Sequence, residues 1–284
     1  MTVLSLGTAQ WGDAYGVTNA TGRLTDADIA RIMDVAADAG ITAVDTAAGY
    51  GDAEARLRPW ASGLEITTKV AGAGPATIAG QVEAALAALG RLDVEIVLLH
   101  DWDALSAPTQ RQAAAALRDA KAAGLVTRIG VSVYNEAGLV SAAEAFERLD
   151  VVQVPANALD RRLDASGTLA ALRAGGTRVQ VRSAFLQGLL AAPTDGGLGQ
   201  HPDVEAFHRA AAAEVGRTSL GMALAHVRAL PWADDIVVGV TSAAELAAIV
   251  AAWQTVPASL APMSLASADL SLVDPRTWHK RGSL

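Results

Sequence analysis

The 284-residue chain has no cysteine, only three lysines (Lys69, Lys121 and Lys280) and 4% aromatic residues. Without cysteine, disulfide staples, cysteine-ligated zinc and thiolate catalysis are excluded. Long apolar runs are also missing. The longest uncharged stretch, Leu246 to Ala268, is interrupted by Gln254, Pro257, Pro262 and several Ser and Thr, so it does not read as a membrane span. No Lys/Arg cluster stands out, and a net charge of −8 argues against nonspecific binding to a phosphate backbone. Met1 to Gly12 lacks a basic region and a cleavage pattern, which makes secretion unexpected and the cytoplasm the default. The five histidines, at 100, 201, 208, 226 and 279, form no His-x-His pair, so no metal site is expected.

What the chain has in excess is alanine, 63 residues, which inflates the 51% hydrophobic fraction and the mean hydropathy of +0.28 with a small helix former. Strand-like and helix-like segments alternate from end to end. Strands are predicted at Val3–Thr8, Thr42–Asp45, Glu65–Lys69, Val94–His100, Thr127–Ser132, Val151–Pro155, Val179–Ser183 and Ile236–Gly239. Most are short, apolar almost throughout and rich in Val, Ile or Leu, as strands buried on both faces should be.

Helical patterns separate them, beginning at Thr25–Ala39, where Thr25 and Asp28 are placed as a capping box and Gly40 as the stop. Further helices are predicted at Gly51–Ala61, Pro75–Leu89, Thr109–Ala123, Asn135–Glu147, Leu163–Ala174, Val204–Val215, Thr218–Ala229 and Ser242–Ala252. Eight strand-helix units over about 250 residues make the arithmetic of a single α/β (β/α)8 TIM barrel. The chain therefore reads as one barrel domain over 1–284, with a C-terminal tail at 255–284.

In such a barrel the site lies at the C-terminal ends of the strands. Asp45 ends the second predicted strand, Tyr50 follows in its loop, Lys69 ends the third and His100 ends the fourth. Each alone has an ordinary explanation: a helix cap, a packing ring, a lysine reaching water, a hydrogen-bonded core imidazole. Together on one rim they describe a proton-donating site. The ammonium of Lys69 is expected to lower the Tyr50 phenol from its usual value of about 10, with Asp45 holding the ammonium and His100 orienting a carbonyl oxygen. Such a site holds no hydride and needs a cofactor. After the eighth strand, Gly239, Val240, Thr241 and Ser242 lead into a helix whose amides suit an anion, and Ser183 to Gly188 offers another polar turn.

These residues resemble the aldo-keto reductase superfamily, in the form of a compact bacterial member. The segment Gly40 to Glu54 is similar to its signature, and Thr68-Lys69, Leu99-His100, Gly130-Val-Ser132 and Gln153 follow at the matching strand ends, with Leu6 to Gln10 opening and Asp274 to Trp278 closing the match. The resemblance implies hydride transfer between a nicotinamide cofactor, NADPH favoured over NADH, and the carbonyl of an aldehyde or ketone, with Tyr50 as general acid. It places Asp45, Tyr50, Lys69 and His100 on the catalytic tetrad, and Ser132 and Gln153 on the nicotinamide carboxamide. It sets Ser183, Leu186 and Gly188 at the pyrophosphate, and Gly239, Thr241 and Glu245 in the eighth loop.

Three departures stand out. Val133 occupies a position where an Asn is usual, Arg182 or Phe185 must replace an aromatic near the nicotinamide, and the eighth loop has no basic residue for a 2′-phosphate. Glu245 would repel such a phosphate and could accept ribose hydroxyls. Trp11 and Trp102 are expected to wall an open substrate pocket suited to a polar, sugar-like carbonyl compound. Two other functions stay open on the sequence: a nucleotide-binding sensor or regulatory subunit with little turnover, and a Schiff-base lyase using Lys69.

Overall fold

The computed structural model describes residues 2–72, 75–164 and 166–280. The end of the expected C-terminal tail, 281–284, lies outside them. Eight strands, β1 (Val3–Gly7), β2 (Ala43–Asp45), β3 (Glu65–Val70), β4 (Val94–Leu99), β5 (Val126–Ser132), β6 (Val151–Pro155), β7 (Arg178–Arg182) and β8 (Asp235–Gly239), form a closed barrel in sequential order. Every pairing is parallel, including β8 back onto β1. This is the (β/α)8 architecture that the alternating pattern implies.

Around it run α1 (Ala9–Gly12), α2 (Asp26–Asp38), α3 (Ala53–Leu57), α4 (Pro75–Leu89), α5 (Ala107–Ala122), α6 (Glu136–Ala145), α7 (Thr168–Ala174), α8 (Pro202–Ala213), α9 (Ser219–Arg228), α10 (Ala243–Thr255) and α11 (Leu270–Val273). The capping box forms as the spacing predicts: Thr25 Oγ1 accepts from the Asp28 amide while the Asp28 carboxylate accepts from the Thr25 amide. Helix α7 starts five residues later than its periodicity suggests. Gly167 precedes it in a left-handed conformation (φ 76°), which a helix cannot pass through, and Leu163 is buried from a turn instead.

Because each strand is covered by the barrel interior on one side and helices on the other, β6 is buried at all five positions. The base of the barrel is closed by charge, with Arg178 bridging Asp235 and Glu65. Its upper interior is polar, and that asymmetry positions the site. Among the described residues no helix is long and apolar enough to cross a membrane.

Candidate active site

A continuous hydrogen-bonded chain crosses the upper barrel. Gln180 donates to Thr67 Oγ1 (3.0 Å), and Gln153 Nε2 donates both to Gln180 Oε1 (3.2 Å) and to Asp45 Oδ2 (2.6 Å). The other oxygen of Asp45 accepts from Lys69 Nζ at 2.6 Å. Lys69 also donates to the Thr46 carbonyl (2.9 Å) and to the Tyr50 hydroxyl (3.4 Å), so all three ammonium protons have acceptors. Strand alternation explains the convergence: Asp45, Thr67, Lys69, Gln153 and Gln180 all end up on the inner face of their strands.

His100 stands edge-on to Tyr50, with ring centroids 5.9 Å apart. Tyr50 and His100 line a groove of about 590 Å³ at the barrel mouth, together with Asp45 and Gln153. The expected tetrad residues are therefore brought together, Lys69 from beneath with 1% of its surface exposed.

Electrostatics at this cluster departs from the expectation in one respect. The Tyr50 phenol is pushed up from its ordinary value, by burial first and by the Asp45 carboxylate second, and Arg182 opposes this only in part. The expected lowering by Lys69 is therefore not what dominates at this phenol. Burial pulls the Lys69 ammonium down while Asp45 pulls it up, with burial the larger. His100 is lowered to about 3 by burial and by the nearby charges of Lys69 and Arg182, which leaves a neutral imidazole at physiological pH.

The remaining expected residues divide. Gln153 is fully buried, and its Oε1 accepts no hydrogen bond from the described protein although it belongs to the groove lining. A buried orphan acceptor facing a groove fits a ligand amide N–H, such as the carboxamide of a nicotinamide. Ser132 is buried and accepts from Arg182 Nε (3.3 Å), one step behind the groove wall. Arg182 lines the groove, as does Phe185. The guanidinium of Arg182 stacks on Tyr134, 3.8 Å from the ring centroid, and Arg276 covers a Tyr134 face at 3.7 Å.

The loop after β7 carries the only non-glycine left-handed residues among those described: Ser183 (φ 62°), Leu186 (φ 47°) and Gln187 (φ 54°), followed by Gly188 (φ 96°). Such conformations cost about 1–3 kcal/mol each and cluster where a loop is shaped for a ligand. Ser183 and Gly188 line the groove, whereas Leu186 is buried behind it. Gly239, Thr241 and Glu245 also line the groove.

Trp11 and Trp102 require correction. Both have 0% exposure and belong to the hydrophobic core, so neither walls a pocket. Trp102 packs on Phe146 and donates its indole N–H to Ser141 (2.8 Å), away from the groove. Proximity in sequence to rim residues did not reveal which way these rings turn.

Two further positions emerge only from tertiary structure. A Cβ on Gly12 would stand 1.7 Å from the Tyr50 carbonyl oxygen, so the loop that carries Tyr50 rests directly on the backbone of α1. Gln187 ties the loop after β7 to the loop after α1: its Oε1 accepts from the Val17 amide (3.1 Å), its carbonyl from Thr18 Oγ1 (3.0 Å), and its Nε2 donates to Tyr15 (3.3 Å). The glutamine is unremarkable in sequence. Only its left-handed backbone and the facing loop give it this task.

A parallel eight-stranded barrel with a polar groove and a Tyr-Lys-Asp-His cluster at its C-terminal mouth has the architecture of a barrel enzyme. The chain belongs to the aldo/keto reductase family, whose family model matches residues 3–263. The family's reaction is nicotinamide-dependent carbonyl reduction. Among solved structures, a Pseudomonas aeruginosa protein assigned to the aldo-keto reductases is similar at 24% identity, TM-score 0.68, over 88% of each chain. An aldo-keto reductase from Bacillus halodurans in its holo form is similar at 18% identity, TM-score 0.75, over 96% of this chain and 94% of that one. At these identities the structural likeness speaks for the fold alone. A search of curated proteins finds no match.

Proposed function

We propose that this chain reduces the carbonyl of a small polar aldehyde or ketone, or runs the reverse oxidation, with Tyr50 donating the proton in reduction. The observation that carries the reading is the arrangement of Lys69: with its three protons given to Asp45, Thr46 and the Tyr50 oxygen, the phenol's own proton is left to point into the groove. The bound dinucleotide would supply hydride, and Gln153 and the loop from Ser183 to Gly188 are the residues that would hold it, with Ser132 supporting Arg182 from behind.

A raised Tyr50 pKa suits this role in the reductive direction. The phenol stays protonated at neutral pH and gives up its proton only as a carbonyl oxygen gains alkoxide character, where transfer is downhill. Lys69 then stabilises the phenolate that remains, over a hydrogen bond already in place. His100, neutral, is an N–H donor to the same carbonyl oxygen. With Lys69 held as an ion-paired donor, Schiff-base chemistry is disfavoured.

Tyr15, Tyr134 and Arg182 stand within electrostatic reach of one another and of Tyr50, so hydroxyl and guanidinium groups gather near the tetrad. This supports a hydroxylated, sugar-like carbonyl compound. The test is a steady-state panel of small hydroxyaldehydes and bulky hydrophobic ketones with both reduced dinucleotides. Turnover of the polar compounds is expected, and activity confined to the hydrophobic ketones contradicts the substrate assignment.

A further inference from the structure

The groove does not stop at the tetrad. It extends to the start of α10, where Thr241, Glu245, Ala248 and Ile249 line it. In barrels of this kind the loop after the eighth strand and the following helix N-terminus offer amide donors to a phosphate. In this chain two of those donors, the Thr241 and Glu245 amides, are already taken. The Thr241 amide donates to Glu245 Oε2 (2.6 Å) and the Thr241 hydroxyl to Glu245 Oε1 (2.9 Å), while the Glu245 amide donates to Ser242 Oγ (3.2 Å). The chain's own carboxylate thus occupies both donors of Thr241, where an incoming anion would meet it.

Among the described residues lining the groove, no cation pairs with it. Arg182 is the one Lys or Arg among the described residues lining the groove, and it is held on β7 against Ser132 and Tyr134. A phosphate on the adenosine ribose would meet a carboxylate with no counter-charge, and would have to displace it from Thr241. A ribose that keeps both hydroxyls meets the reverse situation. Each carboxylate oxygen retains a lone pair after bonding Thr241, and a hydroxyl can donate to it. The neighbouring Ala248 and Ile249 give an apolar surface for a flat base.

We propose that Glu245 makes this chain select the dinucleotide without the 2′-phosphate, NAD(H), over NADP(H), against the preference that family resemblance suggests. The proposal rests on the groove being the dinucleotide site. Its test is equilibrium binding of NADH and of NADPH to the full chain, followed by calorimetry or tryptophan fluorescence, in wild type, Glu245→Gln and Glu245→Arg. Wild type is expected to bind NADH at least about tenfold more tightly, Glu245→Gln to narrow that ratio, and Glu245→Arg to invert it. Equal or tighter NADPH binding by wild type overturns the selectivity, and an unchanged ratio in Glu245→Gln overturns the assignment to this residue. If neither dinucleotide binds while thermal unfolding shows an intact fold, the reading of the groove fails, and the selectivity with it.

Discussion

Lys69 and Asp45 face each other at 2.6 Å inside the barrel mouth, the lysine side chain 1% and the aspartate side chain 6% exposed. Neither has another partner of opposite charge at this distance among the described residues. A buried pair of this kind is costly to break from one side, because the survivor stays buried and unpaired. Asp45→Leu is expected to destabilise the fold by about 3–5 kcal/mol, and Lys69→Met by a similar amount. The double variant Asp45→Leu, Lys69→Met should recover most of this loss while remaining inactive. Denaturant unfolding of the three variants closes the cycle. Additive losses in the double variant would mean that the two residues are not energetically coupled.

Gly12 is predicted to matter to Tyr50 although it touches no ligand. Gly12→Ala places a methyl group where the Tyr50 carbonyl oxygen stands, so the loop must shift. A loss of about 1–3 kcal/mol in stability is expected from overpacking. Because the phenol moves with its backbone, kcat should fall more than KM rises. Unchanged kinetics would show that the Tyr50 loop is not seated on α1.

His100 and His226 are both lowered to about 3 from an ordinary 6.5, His226 by burial and then by Arg161. In the unfolded chain both bind protons below pH 6.5, whereas in the folded chain they resist doing so until about pH 3. The stability they allow is therefore complete above 6.5 and is lost progressively as pH falls toward 3. Each contributes a slope of up to about 1.4 kcal/mol per pH unit in that window. Urea unfolding measured downward from neutral pH should show a shallower fall in His226→Gln than in wild type. The same shift predicts that carbonyl reduction shows no inflection near 6.5, and a clear one there would mean that His100 titrates normally.

Much of this was legible in the sequence, for reasons that can be traced to residues. Strands such as Val151–Pro155 are buried on both faces, so their apolar runs carry no competing polar face and their ends are sharp. Asp45, Tyr50, Lys69 and His100 were conspicuous because polar residues closing such runs have few places to point. What could not be read is direction and proximity. Trp11 and Trp102 sit one or two residues from rim groups yet turn into the core, and no periodicity distinguishes the two outcomes. The rise in the Tyr50 pKa was hidden for a related reason. Its sign is set first by how deeply the phenol is buried and then by the nearby Asp45 carboxylate, and neither depth nor distance is a spacing. Gly12 and Gln187 act through backbones that meet only in the folded chain.

The central claim is that Tyr50 donates the proton in a dinucleotide-dependent carbonyl reduction. Tyr50→Phe removes one hydroxyl and leaves Lys69, Asp45 and Gln153 paired as they are. Measured side by side with wild type, it should lose kcat by about 100-fold or more while its dissociation constant for the reduced dinucleotide stays within a small factor. Turnover preserved in Tyr50→Phe would contradict the account, since the proton would then have to come from another group.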